Sequence, residues 1–309
     1  KRFVARGASD DKGQLMTFVE AIRAWKSVHG ALPVRVVILL EGEEESGSES
    51  LVPFLNEHRE ELLADTCIVC DTSMWDEDTP AITSRLRGLV YIEATLHGPS
   101  HDLHSGGYGG SVVNPANALT QILGQLHDED GRVQIKGFYD EVDEVSSEQI
   151  DQWNSLGDAD ALVLESSGAK AIHGEKGFGT LERLWSRPTC DINGLWAGYT
   201  GEGAKTVIGA TASAKISCRL VASQDPQKIE ASLFAFLEEQ TPEGCHWTLK
   251  SFGAAPAIAV PTDSPWLSAA SNALTSIFPN PAVLIGTGGS IPVVGEFQEI
   301  LGVDAVLVG

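Results

Sequence analysis

Val34-Arg35-Val36-Val37-Ile38-Leu39-Leu40-Glu41-Gly42-Glu43-Glu44-Glu45-Ser46-Gly47 decides the fold class. Its first seven residues are a nearly continuous β-branched and Leu run, the pattern of a strand buried on both faces in a parallel sheet. Its second half is acidic and interrupted by glycine. Upstream, Leu15, Phe18, Val19, Ile22 and Trp25 recur at helical spacing within residues 14–29, and Gly30 fits a helix stop. Downstream, the pattern predicts a helix over about residues 50–63 and a second buried strand over residues 66–70, ending at Asp71. Buried strands alternating with helices predict an α/β layer.

The character changes near Arg87-Gly88. In residues 88–98, Val90, Ile92, Ala94 and Leu96 fall on one face, the period of a half-solvated strand. Asn114-Pro115 opens a helix to about His127, with Asn as cap and Pro at the first helical position. Lys215, Ser217 and Arg219 alternate with Ile216, Cys218 and Leu220 in another one-sided strand, and a helix follows over about residues 226–239. This is the signature of an α+β domain on an open antiparallel sheet. After Phe252 the chain returns to helices and buried strands at residues 264–278, 290–301 and 305–308. The expected organisation is a split domain, residues 1–86 with 253–309, and an inserted domain, residues 87–252.

The chain has 309 residues, enough for two domains. Its net charge of −22 argues against nucleic acid or an anionic membrane as partner, since both need a cationic surface. It contains no run of about 18 apolar residues, so no membrane span is expected. Five cysteines at wide spacing do not make a disulfide scaffold. Cys67 and Cys70 lie on an expected strand, where positions three apart face opposite sides, so buried thiols are favoured over a reactive pair. A reducing, cytoplasmic compartment is expected. The sequence opens at Lys1 and shows no signal peptide, so any upstream targeting signal would be unread.

Three acidic sites carry the chemistry. Arg6-Gly7-Ala8-Ser9-Asp10-Asp11-Lys12-Gly13 precedes the first helix, Glu41–Gly47 follows the first apolar run, and Asp71 follows the second. Ligands of open α/β sheets bind outside the carboxyl ends of the strands. Crowded carboxylates repel unless a cation binds or some stay protonated. One of Glu44 and Glu45 can then bind a metal while the other takes the proton of an attacking water. A solvated acidic loop is the competing reading. His104, in Asp102-Leu103-His104-Ser105-Gly106, is a loop histidine that by itself reads as structural or solvated. Arg219 by itself reads as a solvated or ion-paired strand residue. Gly286-Thr287-Gly288-Gly289-Ser290 is either an anion-binding turn or simply a tight one.

Taken together, the Arg6–Gly13 motif, Leu40-Glu41-Gly42-Glu43-Glu44-Glu45-Ser46-Gly47-Ser48, the His104 motif and Gly288-Gly289-Ser290-Ile291-Pro292 resemble the M20 metallopeptidases. The likeness is greatest to the branch with carnosinase and the cytosolic non-specific dipeptidases. The motifs stand in family order over residues 6–292. The resemblance implies a zinc-peptidase-like α/β catalytic domain with a mostly parallel sheet and an inserted α+β dimerisation, or lid, domain. It implies two divalent metal ions per chain, zinc or alternatively manganese. Asp10 matches the bridging ligand, Glu45 and Asp71 match ligands of the individual metals, and Glu44 matches the general acid/base. His104 matches the residue that polarises the scissile carbonyl from the other subunit of a homodimer formed through the inserted domain. Thr206 matches a substrate contact, and Arg219 and Ser290 match groups that bind the substrate's terminal carboxylate.

The sequence departs from the family in three places. Thr287 stands where close relatives often carry Glu. The family's His-x-Asp motif belongs upstream of Arg6, and its last metal-binding His belongs beyond the strand near Val308; neither is among these residues. The sequence thus reads as an internal piece of a longer chain, and weak or no metal binding is expected of the segment alone. The expected activity is metal-dependent hydrolysis of dipeptides or short peptides with a free carboxyl terminus. The alternatives are an N-acyl amino acid amidohydrolase or carboxypeptidase of the same family, and an inactive binding or dimerising module.

Overall fold

The computed structural model describes residues 4–289 and 291–309. These form two units, one from the described residues up to Arg85 with 258–286 and 291–309, the other from 86–257 with 287–289.

The first unit opens with α1 (Lys12–His29), which Gly30 ends: its φ of 81° suits glycine and its N–H returns to Lys26 O. The apolar stripe of α1 is only half-covered, and Trp25 is 45% exposed. Two short helices follow, α2 (Leu51–Glu57) and α3 (Arg59–Leu62), broken at His58. Strand β1 (Cys67–Val69) is three residues long, and β2 (Ala81–Leu86) is buried along almost its whole length.

The second unit is organised by β3 (Gly88–His97), whose burial alternates residue by residue. Gly88 opens it because the chain passes too close for a side chain: a Cβ would lie 2.6 Å from Ala255 O and from Ala257 N. The short β4 (Leu103–His104) runs into α4 (Ser105–Tyr108). Helix α5 (Pro115–Leu123) is capped by Asn114, whose side chain accepts from Ala116 N, with Pro at the first turn. Helices α6 (Ser147–Asn154), α7 (Ala159–Ser167) and α8 (Thr180–Trp185) precede β5 (Thr189–Ala197), β6 (Val207–Ile208) and β7 (Thr211–Leu220). Asp225 caps α9 (Pro226–Glu239), and β8 (His246–Ala255) closes the unit. The four-stranded sheet has the order β5-β7-β3-β8, with every pairing antiparallel. Val90, Ile92 and Ala94 of β3 and Ala214 and Ile216 of β7 are fully buried with Leu119 of α5 and Leu233 of α9, and Leu96 of β3 is fully buried as well. Each such larger side chain removed from water contributes roughly 1.5–3 kcal/mol.

The chain then returns to the first unit with β9 (Ile258–Ala259), α10 (Pro265–Ile277), β10 (Val283–Thr287), α11 (Pro292–Glu296) and β11 (Ala305–Leu307). The sheet order is β1-β11-β2-β10, with β9 on β2. Strand β1 runs parallel to β11, and β11 antiparallel to β2. A small core joins Leu51 and Leu55 to Phe297, Leu301 and Val303. Among the described residues no helix is long and apolar enough to cross a membrane.

Several expectations are corrected. Residues 34–40 form no strand; Val34 is 66% and Leu40 64% exposed, because the run has no ladder partner among the described residues. An apolar run forms a strand only where a neighbour takes its N–H and C=O groups. The first unit's sheet is mixed rather than mostly parallel. The helix expected over 50–63 is two pieces, and the one expected to reach His127 stops at Leu123. The helix expected over 290–301 is α11 followed by a wider π turn, Phe297–Leu301. The buried strand expected over 66–70 shrinks to β1, with Ile68 58% exposed.

Equilibrium urea unfolding tests this distribution of burial. Ile216→Ala should cost roughly 2–5 kcal/mol, and Val36→Ala under about 1 kcal/mol. A Val36 loss as large as that of Ile216 would show that residues 34–40 are buried after all.

Candidate active site

The acidic loop after Leu40 is shaped by Glu43. Its carboxylate accepts from Ser50 N at 3.0 Å and Ser50 Oγ at 3.1 Å, and its main-chain O accepts from Ser46 N and Ser48 N. Gly47, in the left-handed region, ends the 3-10 turn Glu44–Ser46. Glu43 is thus occupied in holding the turn, while Glu44 and Glu45 project from it as exposed residues. Glu45 Oε1 accepts from Arg6 Nη1 at 2.9 Å, a surface pair worth at most about 1 kcal/mol. Partial desolvation, then the charges of Asp71, Glu45, Glu41 and Asp10, hold the Glu44 carboxyl above the usual range. Desolvation raises Asp71 too, followed by Asp11, Asp10 and Glu45. The sequence-expected acids Asp10, Glu44, Glu45 and Asp71 therefore lie within one electrostatic neighbourhood of the first unit.

Asp11 is an addition that sequence reasoning passed over. Its Oδ2 accepts from Cys70 Sγ at 3.4 Å, and its buried Oδ1 has no hydrogen-bond partner. Burial pushes Asp11 up and pushes the Cys70 thiol up to about 11, so Cys70 stays protonated. All five cysteines are free. The signal for Asp11 was its place beside Asp10, in a motif read for one acid only.

In charge and in the orphaned Asp11 oxygen, the cluster suits a divalent cation. In geometry it is short of a metal centre: among the described residues, no three His, Cys, Asp or Glu side chains are grouped to hold an ion. Asp10, Glu45 and Asp71 offer carboxylate oxygens only.

In the second unit, the structure joins His104 to Thr206. Strand β4 pairs with β6, Leu103 opposite Ile208 and His104 opposite Val207. Asp102 Oδ1 accepts from Ala210 N at 2.8 Å, and Ser105 N donates to Thr206 O at 2.9 Å. His104 Nδ1 accepts from Gly106 N at 3.0 Å, and its Nε2 lies 3.2 Å from Thr206 Oγ1. An Nδ1 that accepts carries no proton, so neutral His104 bears its proton on Nε2. Gly106 permits this approach, since a Cβ there would lie 2.8 Å from the His104 ring. The histidine expected in a loop thus belongs to a short strand and caps α4.

Arg219 lies on β7, opposite Leu89 of β3 and Thr189 of β5, with its charge acting on the buried Arg87. Ser290, expected to share carboxylate binding with Arg219, lies outside the described residues.

The model of the M20 peptidase dimerisation domain matches residues 85–245. The chain is 34% identical over 231 residues to the Cys-Gly metallodipeptidase dug1 of Schizosaccharomyces pombe, covering 74% of this chain and 48% of that protein. It is 29% identical over 314 residues to the human Beta-Ala-His dipeptidase, covering 99% and 62% respectively. It thus spans about half to under two thirds of the length of these relatives. Among solved structures, an M20 family metallo-carboxypeptidase from Sulfolobus solfataricus is similar at a TM-score of 0.83 and 32% identity, covering 97% of this chain and 68% of that one.

The crowded acids give a pH signature. A carboxyl whose folded pKa is raised contributes stability below its unfolded value and loses it as pH rises through the folded value. Without metal, charged Glu44 therefore disfavours folding at pH 7, and Glu44→Gln should raise the melting temperature there. The difference should fade as pH falls below the ordinary Glu value of 4.5, where the Glu44 carboxyl becomes neutral in the folded and unfolded states alike. Thermal melts of the metal-free chain across this range check it; a gap of the same size at every pH would count against the repulsion.

Proposed function

The chain belongs to the M20 peptidase family, and we propose on that footing that the protein is a metal-dependent dipeptidase acting on short peptides with a free carboxyl terminus. The observation that carries the reading is Glu44, a carboxyl with raised proton affinity among four other acids. Raised proton affinity suits a group that takes a proton and returns it. In the proposed reaction Glu44 takes the proton of the water that attacks the peptide carbonyl, then delivers it to the leaving amine nitrogen.

Asp10, Glu45 and Asp71 are the proposed metal ligands, with zinc or manganese as the metal. A divalent ion there supplies Lewis-acid polarisation and lowers the pKa of water. In the proposed homodimer, His104 acts on the substrate held by the other subunit, donating its Nε2 proton to the developing oxyanion, and the Gly106 N–H on Nδ1 supports that tautomer. Thr206 orients the imidazole and the substrate beside it. Arg219, with Ser290, anchors the terminal carboxylate, a task suited to the planar fork of arginine. A homodimer through residues 87–252, inserted between 1–86 and 253–309, completes the proposal; the match to a dimerisation model supports it. Five free thiols favour a reducing, cytoplasmic compartment.

The likeness to a metallo-carboxypeptidase favours a second reading, a carboxypeptidase or N-acyl amino acid amidohydrolase of the same family. Turnover of Ala-Ala and of N-acetyl-Ala-Ala, with zinc, manganese or no added metal, separates the two. Preference for the free dipeptide and loss of activity with chelator are expected; preference for the acetylated form would move the assignment to the second reading.

Glu44→Gln should leave metal content unchanged and lower kcat by roughly 10²–10⁴. Elemental analysis beside the kinetics checks it, and metal lost together with activity would exchange the roles of Glu44 and Glu45.

A further inference from the structure

Arg87, between β2 and β3, is 6% exposed. A guanidinium is seldom buried so far unless the fold uses its donors. Its Nη2 donates to Arg187 O at 2.8 Å and to Thr189 Oγ1 at 3.2 Å. Thr189 Oγ1 donates onward to Asp191 Oδ2 at 3.2 Å. Thr189 stands directly opposite Arg219 in the β5–β7 ladder, and opposed residues share one face of a sheet. The Arg87 N–H donates to Gly289 O at 3.2 Å, on the residue just before Ser290. One residue thus ties down, through its side chain, the position facing Arg219 and, through its backbone, Gly289.

Charge adds to this geometry. Burial, and then the nearby Arg219, pull the Arg87 guanidinium down to about 10, with Asp191 acting the other way. Arg87 therefore stays cationic at neutral pH. Two guanidiniums beside one carboxylate form a local positive excess in a chain of net charge −22. An anionic group arriving at Arg219 relieves that repulsion.

We propose that Arg87 is a positioning residue for recognition of the substrate's terminal carboxylate, acting on Arg219 through Thr189 and its own buried charge. The proposal rests on the reading of Arg219 as the carboxylate anchor.

Steady-state kinetics of the protein on Ala-Ala and on Ala-Ala amide, which lacks the carboxylate, test it. Arg87→Met should raise KM for Ala-Ala by roughly 10- to 100-fold, with kcat changed less than about threefold, and shrink the preference for the acid over the amide. Arg87→Lys, which keeps the charge, should recover part of that preference. Thr189→Val keeps a β-branched strand residue while removing the hydroxyl, so it tests the same link if Arg87→Met fails to fold; a KM increase of roughly 3- to 10-fold is expected. Arg219→Met should abolish the preference. If Arg219→Met abolishes it while the Arg87 and Thr189 variants retain it, the proposal for Arg87 is overturned and the anchor reading stands. If Arg219→Met retains it as well, the anchor reading falls and the proposal with it.

Discussion

Like charges held close are the constraint on which this protein turns. Asp10, Glu41, Glu45 and Asp71 all act on Glu44, and Asp10, Asp11 and Glu45 act on Asp71, in a chain that is already strongly acidic. Repulsion of this kind disfavours the folded state unless the surrounding structure enforces it. Here the enforcement is visible. Glu43 is committed to Ser50 and fixes the turn that presents Glu44 and Glu45, Arg6 pairs with Glu45, and Cys70 donates to Asp11. A fold that gathers acids and leaves a buried Asp11 oxygen without a partner is one whose ordinary remedy is a cation.

The second unit meets a different requirement, the precise aim of a few polar groups. Its sheet buries one face of β3 and β7 under α5 and α9, which makes the opposite face a rigid base. On that base, position along a strand sets position in space: Arg219 stands opposite Thr189 because the ladder leaves no other register. His104 is aimed by three hydrogen bonds around it, from Ala210 N to Asp102, from Ser105 N to Thr206 O and from Gly106 N to the imidazole itself. Side chains locked in this way lose little entropy when a substrate arrives.

What was legible in the sequence follows from where the information is local. The alternation of Val90, Ile92, Ala94 and Leu96 and the caps at Asn114 and Asp225 are local signals, and the structure realises them. The run at residues 34–40 misled because its apolar character says nothing about a partner strand, and none is found among the described residues. The acidic motifs were legible as residue types, and their electrostatic neighbourhood now stands behind them. The pairing of His104 with Thr206 spans 102 positions, so only the ladder between β4 and β6 could reveal it. Arg87 was read merely as the point where composition changes. Its link to Thr189 is equally non-local, and a charged residue between two apolar strands was the one available sign.

The most direct test of the central claim is elemental analysis of the purified full-length protein coupled to hydrolysis of Ala-Ala with and without chelator. The account predicts about two divalent ions per chain and hydrolysis that stops when they are removed. No bound metal, and no hydrolysis with zinc or manganese supplied, would contradict it.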